Sequence, residues 1–219
     1  MPAASPRIPA VPQPPLAARR RLLQWPVIAA LWPHLAFAAD ANQVLILGDS
    51  LSAGYGLDRG EGWVNLLERR TGPRGWEVVN ASISGETTAG GLSRLPALLR
   101  KHRPAVTVIE LGANDALRGL SLAVTEANLR RLVSQAKEAG SKPLLIGMML
   151  PPNFGAAYTE QFRQLFGRIA KSESIPLVPF LLAGFADDMD WFQPDRIHPT
   201  AKAQARMLDN VWPVLSKML

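Results

Sequence analysis

One unbroken apolar run ends in a glycine and is followed at once by a serine, and no other feature constrains the fold as strongly. The run lies within residues 43–52, which read QVLILGDSLS. Consecutive apolar residues rich in Val, Ile and Leu are typical of a strand buried on both faces of a parallel sheet. Ligands bind beyond the carboxyl ends of such strands. Gly48 permits a sharp turn there, so Ser50 is expected at the mouth of a site and is the candidate nucleophile.

Four further apolar segments predict strands, and the amphipathic segments between them predict helices. The five predicted strands span residues 43–47, 76–83, 105–111, 143–150 and 176–180. The predicted helices end near residues 70, 102, 139, 172 and 219. Strands and helices that alternate at this spacing specify right-handed βαβ crossovers. We therefore predict a three-layer α/β/α sandwich around a flavodoxin-like five-stranded parallel sheet, in the order 2-1-3-4-5.

The first 39 residues have a different texture. Residues 1–18 are rich in Pro and Ala without periodicity, so we expect them to be disordered. The layout of a secretory signal is formed by Arg19–Arg21, the apolar stretch over 22–35 and the small-x-small segment Ala36–Ala39, with cleavage expected near Ala38 or Ala39. We expect residues 1–39 to be removed on export to the periplasm of a Gram-negative bacterium. Residues 40–219 are then expected to form a single domain.

An uncleaved membrane anchor is the alternative interpretation of the leader. The apolar stretch is shorter than the roughly 20 residues that span a bilayer, and Pro26, Pro33 and His34 interrupt it. We therefore expect no stable membrane insertion once the signal has been removed.

Composition excludes several classes of chemistry. The chain has no cysteine, which excludes disulfides, thiolate zinc sites and a cysteine nucleophile. Its formal net charge of +6 suggests a nucleic-acid partner at first sight. Four of the 24 basic residues precede residue 40, however, and removing them leaves 20 against 18 acidic ones, with no dense basic run. No nucleic-acid partner is expected.

Short polar segments follow the predicted strands and precede the last helix. They are Gly48–Ser50, Ser84–Glu86, Gly112–Asp115 and Asp195–His198. Each has a purely structural interpretation when taken alone, because glycines turn the chain and Asp or Asn cap helices and start turns. The first three are expected to share one edge of the parallel sheet, and the fourth reaches the same edge if the last helix packs back on the sheet.

A serine hydroxyl needs a base within hydrogen-bond reach and a third group that orients the base. Of the three histidines, His34 lies in the leader and His102 is expected at a helix end. His198 remains, and the following proline disfavours helical geometry there. Asp195 can accept from Nδ1 of His198 and leave Nε2 facing Ser50. The alternative is a capping or surface histidine.

Hydrolysis through an acyl-enzyme also requires donors for the oxyanion that forms on attack. Three donors are available: the N–H of Ser50, the N–H of Gly85 and the side-chain amide of Asn114. A glycine suits the second position because only backbone needs to approach the oxygen.

The four polar segments, in this order, resemble the motif blocks of the SGNH, or GDSL, hydrolases, and the resemblance covers residues 43–219. The segments around Ser50, Gly85, Leu117–Gly119 and Leu150–Gly155 are most similar to the bacterial thioesterase I, lysophospholipase and arylesterase group. The resemblance implies that Ser50 is the nucleophile, Gly85 and Asn114 are oxyanion donors, Asp195 orients and His198 is the base. Ala113 departs from that group's pattern, which often has a second glycine there.

The resemblance further implies a groove for the acyl chain beside the loop after the fourth strand. Its expected lining residues are Leu150, Pro151, Pro152, Asn153, Phe154 and Gly155. Met148 and Met149 border this loop and could adapt to varied apolar chains, although they could equally be core residues.

Other functions fit less well. Gly54 and Gly56 suggest a dinucleotide-binding fingerprint, but the next glycine, Gly60, is one residue too late. A receiver-like domain would need a basic residue after the fifth strand, where Phe180, Leu181 and Leu182 lie instead. An α/β-hydrolase would need the motif G-x-S-x-G, which this sequence lacks. A non-catalytic binding module would not need the full set of site residues.

We therefore expect a monomeric serine hydrolase that cleaves small-molecule esters or thioesters of acyl chains, without metal or cofactor. A carbohydrate O-acetylesterase of the same fold is the alternative.

Overall fold

The computed structural model describes residues 40–219, so the predictions for the leader lie outside the described residues. A five-stranded, all-parallel sheet forms the centre, with the strand order β2-β1-β3-β4-β5 that the sequence predicted. The strands are β1 Asp40–Gly48, β2 Glu77–Asn80, β3 Pro104–Glu110, β4 Lys142–Ile146 and β5 Leu177–Val178.

Helices connect the strands and cover both faces of the sheet. They are α1 Ser50–Ala53, α2 Trp63–Thr71, α3 Thr88–His102, α4 Ala113–Leu117, α5 Leu122–Glu138, α6 Ala156–Glu173 and α7 Ala201–Leu215. Short 3₁₀ helices lie at Gly72–Arg74, Pro152–Phe154 and Met189–Trp191. Helices α3, α5 and α6 pack in a row on one face, and α2 packs against α7 on the other. The three-layer prediction is thus confirmed.

The core explains why the apolar runs fold as strands. Val44 to Leu47 of β1 and Val108 and Ile109 of β3 are fully buried, because helices cover both faces of these central strands. Trp63, Phe162 and Phe166 supply the largest fully buried side chains of the flanking helices. Burying this apolar surface drives the layers together.

Three strands are shorter than predicted. The fifth was expected over 176–180 but pairs only at Leu177–Val178, because Pro176 and Pro179 on either side have no N–H to donate. The fourth ends at Ile146 rather than at residue 150. Beyond it, the backbone at Gly147 approaches the Pro179 carbonyl so closely that a Cβ would lie 2.4 Å from that oxygen.

The second strand was expected over 76–83 and ends at Asn80. Ala81 and Ile83 still donate main-chain hydrogen bonds to the carbonyls of Ile46 and Gly48, at 2.9 and 3.1 Å. The ordered ladder therefore gives way to an irregular segment that stays attached to β1. This attachment carries the segment that follows, including Gly85, to the carboxyl end of β1.

The described residues contain no helix long and apolar enough to cross a lipid bilayer.

Candidate active site

Ser50 is the first residue of α1, directly beyond the buried strand β1. Asp49 caps this helix, since its Oδ1 accepts a hydrogen bond from the Leu51 N–H at 3.0 Å. Gly54, with φ of 77°, ends the helix after a single turn. The turn holds Ser50, which is 9% exposed, at the carboxyl edge of the sheet.

Asp195 and His198 lie in a tight loop before α7. An antiparallel bridge between Phe192 and Pro199 closes the loop. Oδ1 of Asp195 accepts hydrogen bonds from the N–H groups of Ile197 and His198, at 2.9 and 3.0 Å. The loop is therefore folded around the carboxylate, whose Oδ2 lies 2.7 Å from Nδ1 of His198.

The imidazole of His198 joins this loop to the serine. Its Nε2 lies 2.9 Å from Ser50 Oγ, and the ring of Tyr55 packs against it at 4.4 Å between centroids. Burial alone would raise the pKa of Asp195, but hydrogen bonds from His198 and Ile197 outweigh it and lower the pKa to about 2. Because an ionised carboxylate only accepts, Nδ1 carries the proton, and Nε2 can accept from the Ser50 hydroxyl.

Gly85 lies between β2 and α3 with φ of 78°. Its carbonyl accepts a hydrogen bond of 2.8 Å from Nη2 of Arg118, an exposed residue just after α4. Among the hydrogen bonds of residues 40–219, none is donated by the Gly85 N–H. This N–H is therefore available to an incoming oxygen.

Asn114 is the second residue of α4, which begins after Gly112 at φ of 116°. It is therefore not the helix cap that its residue type alone would suggest. Its Nδ2 donates to Oδ2 of Asp49 and to the carbonyl of Glu86, both at 3.0 Å. An oxyanion bound to this amide would share or replace one of these two hydrogen bonds.

The structure thus brings the predicted residues to one edge of the sheet. Direct hydrogen bonds connect Ser50, His198 and Asp195, and Asn114 is attached to Asp49, the neighbour of Ser50. The second bond of Asn114, to Glu86, connects it to the segment that contains Gly85. His102 lies at the end of α3, as expected.

A buried pair of carboxyl groups beneath this site was not predicted. Glu110, the last residue of β3, accepts hydrogen bonds from Ser52 Oγ at 2.7 Å and from the Asp49 N–H at 3.3 Å. Both side chains are almost fully buried, at 0% and 1% exposure. Burial raises the pKa of Asp49 to about 6, and burial together with the Asp49 charge raises the pKa of Glu110 well above 4.5. The only signal in the sequence is an acidic residue near the end of an apolar strand.

The loop predicted to hold an acyl chain is divided between core and surface. Leu150 is buried and Phe154 packs partly against the core, whereas Pro151, Asn153 and Gly155 are exposed. No described contact joins the loop to Ser50, so its role in binding substrate stays a prediction.

The two methionines before this loop have separate environments. Met148 is buried in the core, whereas Met149 is 39% exposed. Met149 borders a cavity of about 420 Å³ whose other lining residues come from α6 and from around β5. This cavity does not include Ser50 or His198.

Comparison with known proteins identifies the family. Residues 46–206 match the GDSL-like Lipase/Acylhydrolase family. The chain is 49% identical to esterase TesA of Pseudomonas aeruginosa over 183 residues, which cover 83% of this chain and 91% of TesA. It is 44% identical to thioesterase 1/protease 1/lysophospholipase L1 of Escherichia coli over 176 residues, which cover 78% of this chain and 82% of that protein.

Solved structures agree with this assignment. The crystal structure of TesA superimposes with a TM-score of 0.78 over 81% of this chain and all of TesA. The psychrotrophic esterase EstA from Pseudoalteromonas sp., 40% identical, superimposes with a TM-score of 0.76 over 80% of this chain and 97% of EstA. The chain therefore belongs to the GDSL-like lipase/acylhydrolase family, within its esterases and thioesterases.

Proposed function

We propose that this protein hydrolyses carboxylic esters or thioesters of acyl chains through a Ser50–His198–Asp195 triad and an acyl-enzyme intermediate. The observation that carries the proposal is the pair of short contacts made by His198, 2.9 Å to Ser50 Oγ and 2.7 Å to Asp195. A base with one nitrogen on the nucleophile and the other on a carboxylate is the arrangement that activates a serine.

In the proposed reaction, Ser50 Oγ attacks the acyl carbon while Nε2 of His198 takes the hydroxyl proton. The N–H groups of Ser50 and Gly85 and the amide of Asn114 stabilise the negative charge on the former carbonyl oxygen. As the tetrahedral intermediate collapses, the imidazolium gives its proton to the leaving alcohol or thiol. Water then attacks the acyl-Ser50 ester with the same base, which releases the carboxylic acid and restores Ser50.

Exposed apolar side chains around the serine favour an acyl chain over a sugar as the recognised group. Tyr55, Ile83 and Ile197 are 51%, 47% and 52% exposed. Tyr55 contacts the His198 ring, Ile83 precedes the Gly85 segment and Ile197 adjoins His198. An alkyl chain lying over such side chains would remove apolar surface from water, whereas a polar sugar would gain little from them.

Named relatives support the same chemistry. The two relatives compared above are called an esterase and a thioesterase, and the EstA structure is described as inhibited by monoethylphosphonate.

The test is hydrolysis of nitrophenyl esters from acetyl to palmitoyl, beside matched acyl-CoA thioesters and an acetylated sugar. Ser50→Ala should abolish turnover and leave folding intact, whereas Ser134→Ala, at an exposed serine that bonds Glu138 on α5, should behave as wild type. Rates that rise with chain length would support an acyl substrate. Activity confined to acetyl groups, and strongest on the sugar, would instead support the carbohydrate O-acetylesterase alternative. More than a few per cent of activity in Ser50→Ala would overturn the mechanism.

We also propose that the protein is exported to the periplasm. The proposal rests on the arginines, apolar stretch and small residues that precede residue 40. Fractionation of cells that express the full chain, with N-terminal sequencing of the product, tests it. A mature protein that begins near residue 39 or 40 is expected, and a full-length cytoplasmic product would contradict export.

A further inference from the structure

Gln193 joins the nucleophile segment, residues 49–57, to the base loop, residues 192–199. Its side-chain Nε2 donates to the carbonyl of Tyr55 at 2.8 Å and to the carbonyl of Pro199 at 3.1 Å. Tyr55 lies just beyond α1, and Pro199 directly follows His198. One half-buried amide therefore holds two carbonyl groups that are 144 residues apart in the chain.

Main-chain hydrogen bonds extend this link to the reacting residues. The Tyr55 N–H donates to the Ser50 carbonyl at 3.1 Å, and the Gln193 N–H donates to the His198 carbonyl at 2.7 Å. The Ser50 and His198 backbones are thus joined through Gln193. The direct contact between Ser50 Oγ and His198 Nε2 completes a closed circuit of hydrogen bonds between the two residues.

Besides the packing of the Tyr55 ring against His198, the contacts that fold the base loop are internal to it. Asp195 folds the loop, and the bridge between Phe192 and Pro199 closes it, but neither reaches the nucleophile. Among the described residues, only two hydrogen bonds connect residues 49–57 with residues 192–199: the Ser50 contact itself and the bond from Gln193 to Tyr55.

The nucleophile segment is shaped to receive this side chain. Gly56 has φ of 71°, and a Cβ at this position would lie 2.1 Å from Oε1 of Gln193. No other residue type leaves the side chain in place, since an added methyl group would displace the amide. The glycine and the glutamine therefore form a matched pair across the two segments.

We propose that Gln193 is a positioning residue that fixes the distance between Ser50 and His198, and that Gly56 leaves the space that its side chain occupies. The inference rests on the proposed function, because it concerns how that triad is assembled. The effect is expected in catalysis rather than in substrate binding, since Gln193 bonds backbone carbonyls and a small displacement of a base from its nucleophile costs rate.

The experiment compares the full chain with Gln193→Leu, which keeps the size of the side chain and removes the amide. A fall of about tenfold or more in kcat is expected, with little change in KM for a short nitrophenyl ester. The rate at which a fluorophosphonate labels Ser50 should fall in parallel, since labelling needs the same base. Gln164→Leu is the matched control, because Gln164 is an exposed glutamine that bonds Glu160 on α6.

Gly56→Ala provides a second route to the same state and serves where Gln193→Leu fails to fold. It displaces the Gln193 amide and also strains a backbone with φ of 71°, so it should lower kcat and the labelling rate. Adding Gln193→Leu to Gly56→Ala should lower both rates little further, because the amide is already displaced. A kcat and labelling rate within twofold of wild type for both single variants would overturn the inference. A loss that only tracks the folded fraction, measured by circular dichroism, would also overturn it. If wild type itself hydrolyses no ester, the proposed function fails instead.

Discussion

Gly48 and Glu110 face each other across the pairing of β1 with β3, so closely that a Cβ on Gly48 would lie 2.8 Å from Oε2 of Glu110. The same Cβ would lie 2.7 Å from Cβ of Ser52. Glu110 thereby reaches beneath α1 and accepts hydrogen bonds from Ser52 and Asp49, on either side of Ser50. Gly48, two residues before Ser50, is needed for this close approach as well as for the turn.

Gly48→Ala is expected to destabilise the protein by about 1–3 kcal/mol, because the added methyl group must push Ser52 or Glu110 out of a packed position. Ester hydrolysis should fall as well, since α1 carries Ser50. Urea unfolding gives the stability change. Gly167→Ala is the control, because nothing lies within 4 Å of the added Cβ and alanine favours the interior of α6. Equal unfolding midpoints for Gly48→Ala and wild type would contradict the packing argument.

Glu110→Gln should become more stable relative to wild type as the pH rises. Burial, with the nearby Asp49 charge, raises the pKa of Glu110 well above 4.5, so ionisation is penalised in the folded state only. Wild type therefore loses stability from about pH 4.5 up through the raised pKa, by up to about 1.4 kcal/mol per pH unit, and the glutamine variant does not. Denaturant unfolding of both proteins between pH 4.5 and 8 measures the difference.

Glu160→Gln is the control, because the pH dependence of its stability relative to wild type should have the opposite sign. Hydrogen bonds from Arg163 and Gln164 lower the pKa of Glu160 to about 2. The stabilisation from this exposed carboxylate is present above its unfolded pKa and is lost as the pH falls towards 2. The stability of the variant relative to wild type should therefore increase only on acidification. A gap between Glu110→Gln and wild type that stays constant with pH would contradict the assignment of a buried, raised pKa.

The sequence predicted what depends on local pattern. The apolar runs of β1 and β3 and the helical spacing of α5 predict buried strands and a covering helix, and these elements begin and end within a few residues of their predicted positions. Parallel topology then brings the polar ends of the strands together, so the sequence groups Ser50, Gly85 and Asn114. His198 joins them as the one remaining candidate base, in the segment before the last helix. The lengths of β2, β4 and β5 were overestimated, because hydrogen bonding to the neighbouring strand decides where each strand ends.

Contacts between distant segments could not be predicted. Ser52 and Glu110 are 58 residues apart, and Gln193 and Tyr55 are 138 apart, and nothing in either neighbourhood specifies the other. Glutamine and glutamate are ordinary surface residues by type, so their positions alone indicate solvent exposure. Only the packing of α1 over the end of β3, and of the base loop against the nucleophile segment, gives these side chains their partners.

Asp49→Asn is expected to lower kcat about 10- to 100-fold at pH 8, with KM little changed. Oδ1 of Asp49 accepts from Leu51 and Oδ2 accepts from Asn114, but asparagine has only one acceptor oxygen. If that oxygen keeps the helix cap, its NH₂ faces the NH₂ of Asn114, and the proposed oxyanion donor loses its orientation. Misplacing a donor should cost somewhat less than the roughly 10²–10³-fold cost of removing one.

The same substitution has a predicted pH dependence. Burial raises the pKa of Asp49 to about 6, so wild type loses the ionised acceptor below that pH and the ratio of wild-type to variant kcat should shrink there. Asp209→Asn is the control, because that carboxylate is 56% exposed and pairs with Arg70 between α2 and α7. A ratio that is the same at pH 5 and pH 8 would contradict a role for the Asp49 charge.

Asp195→Asn should lower kcat by about 10³–10⁴-fold with little effect on folding, through the tautomer of His198. Oδ1 of Asp195 already accepts from two N–H groups of its own loop, at 2.9 and 3.0 Å, so an asparagine would keep its oxygen there. Its NH₂ would then face Nδ1 of His198 and donate to it. The ring proton would move to Nε2, which could no longer accept the Ser50 proton.

Asp188→Asn provides the matched control for this last substitution. Asp188 folds its own turn in the same way, since its Oδ1 accepts from the Asp190 N–H at 3.0 Å, and its Oδ2 accepts from Trp191 Nε1 at 3.1 Å. It does not hydrogen-bond to His198, so its variant should keep wild-type kcat even if the turn is weakened. Steady-state kinetics on a nitrophenyl ester, with melting temperatures of all three proteins, measures both effects. If Asp195→Asn and Asp188→Asn had the same kcat, Asp195 would only fold its loop, and the tautomer argument would be wrong.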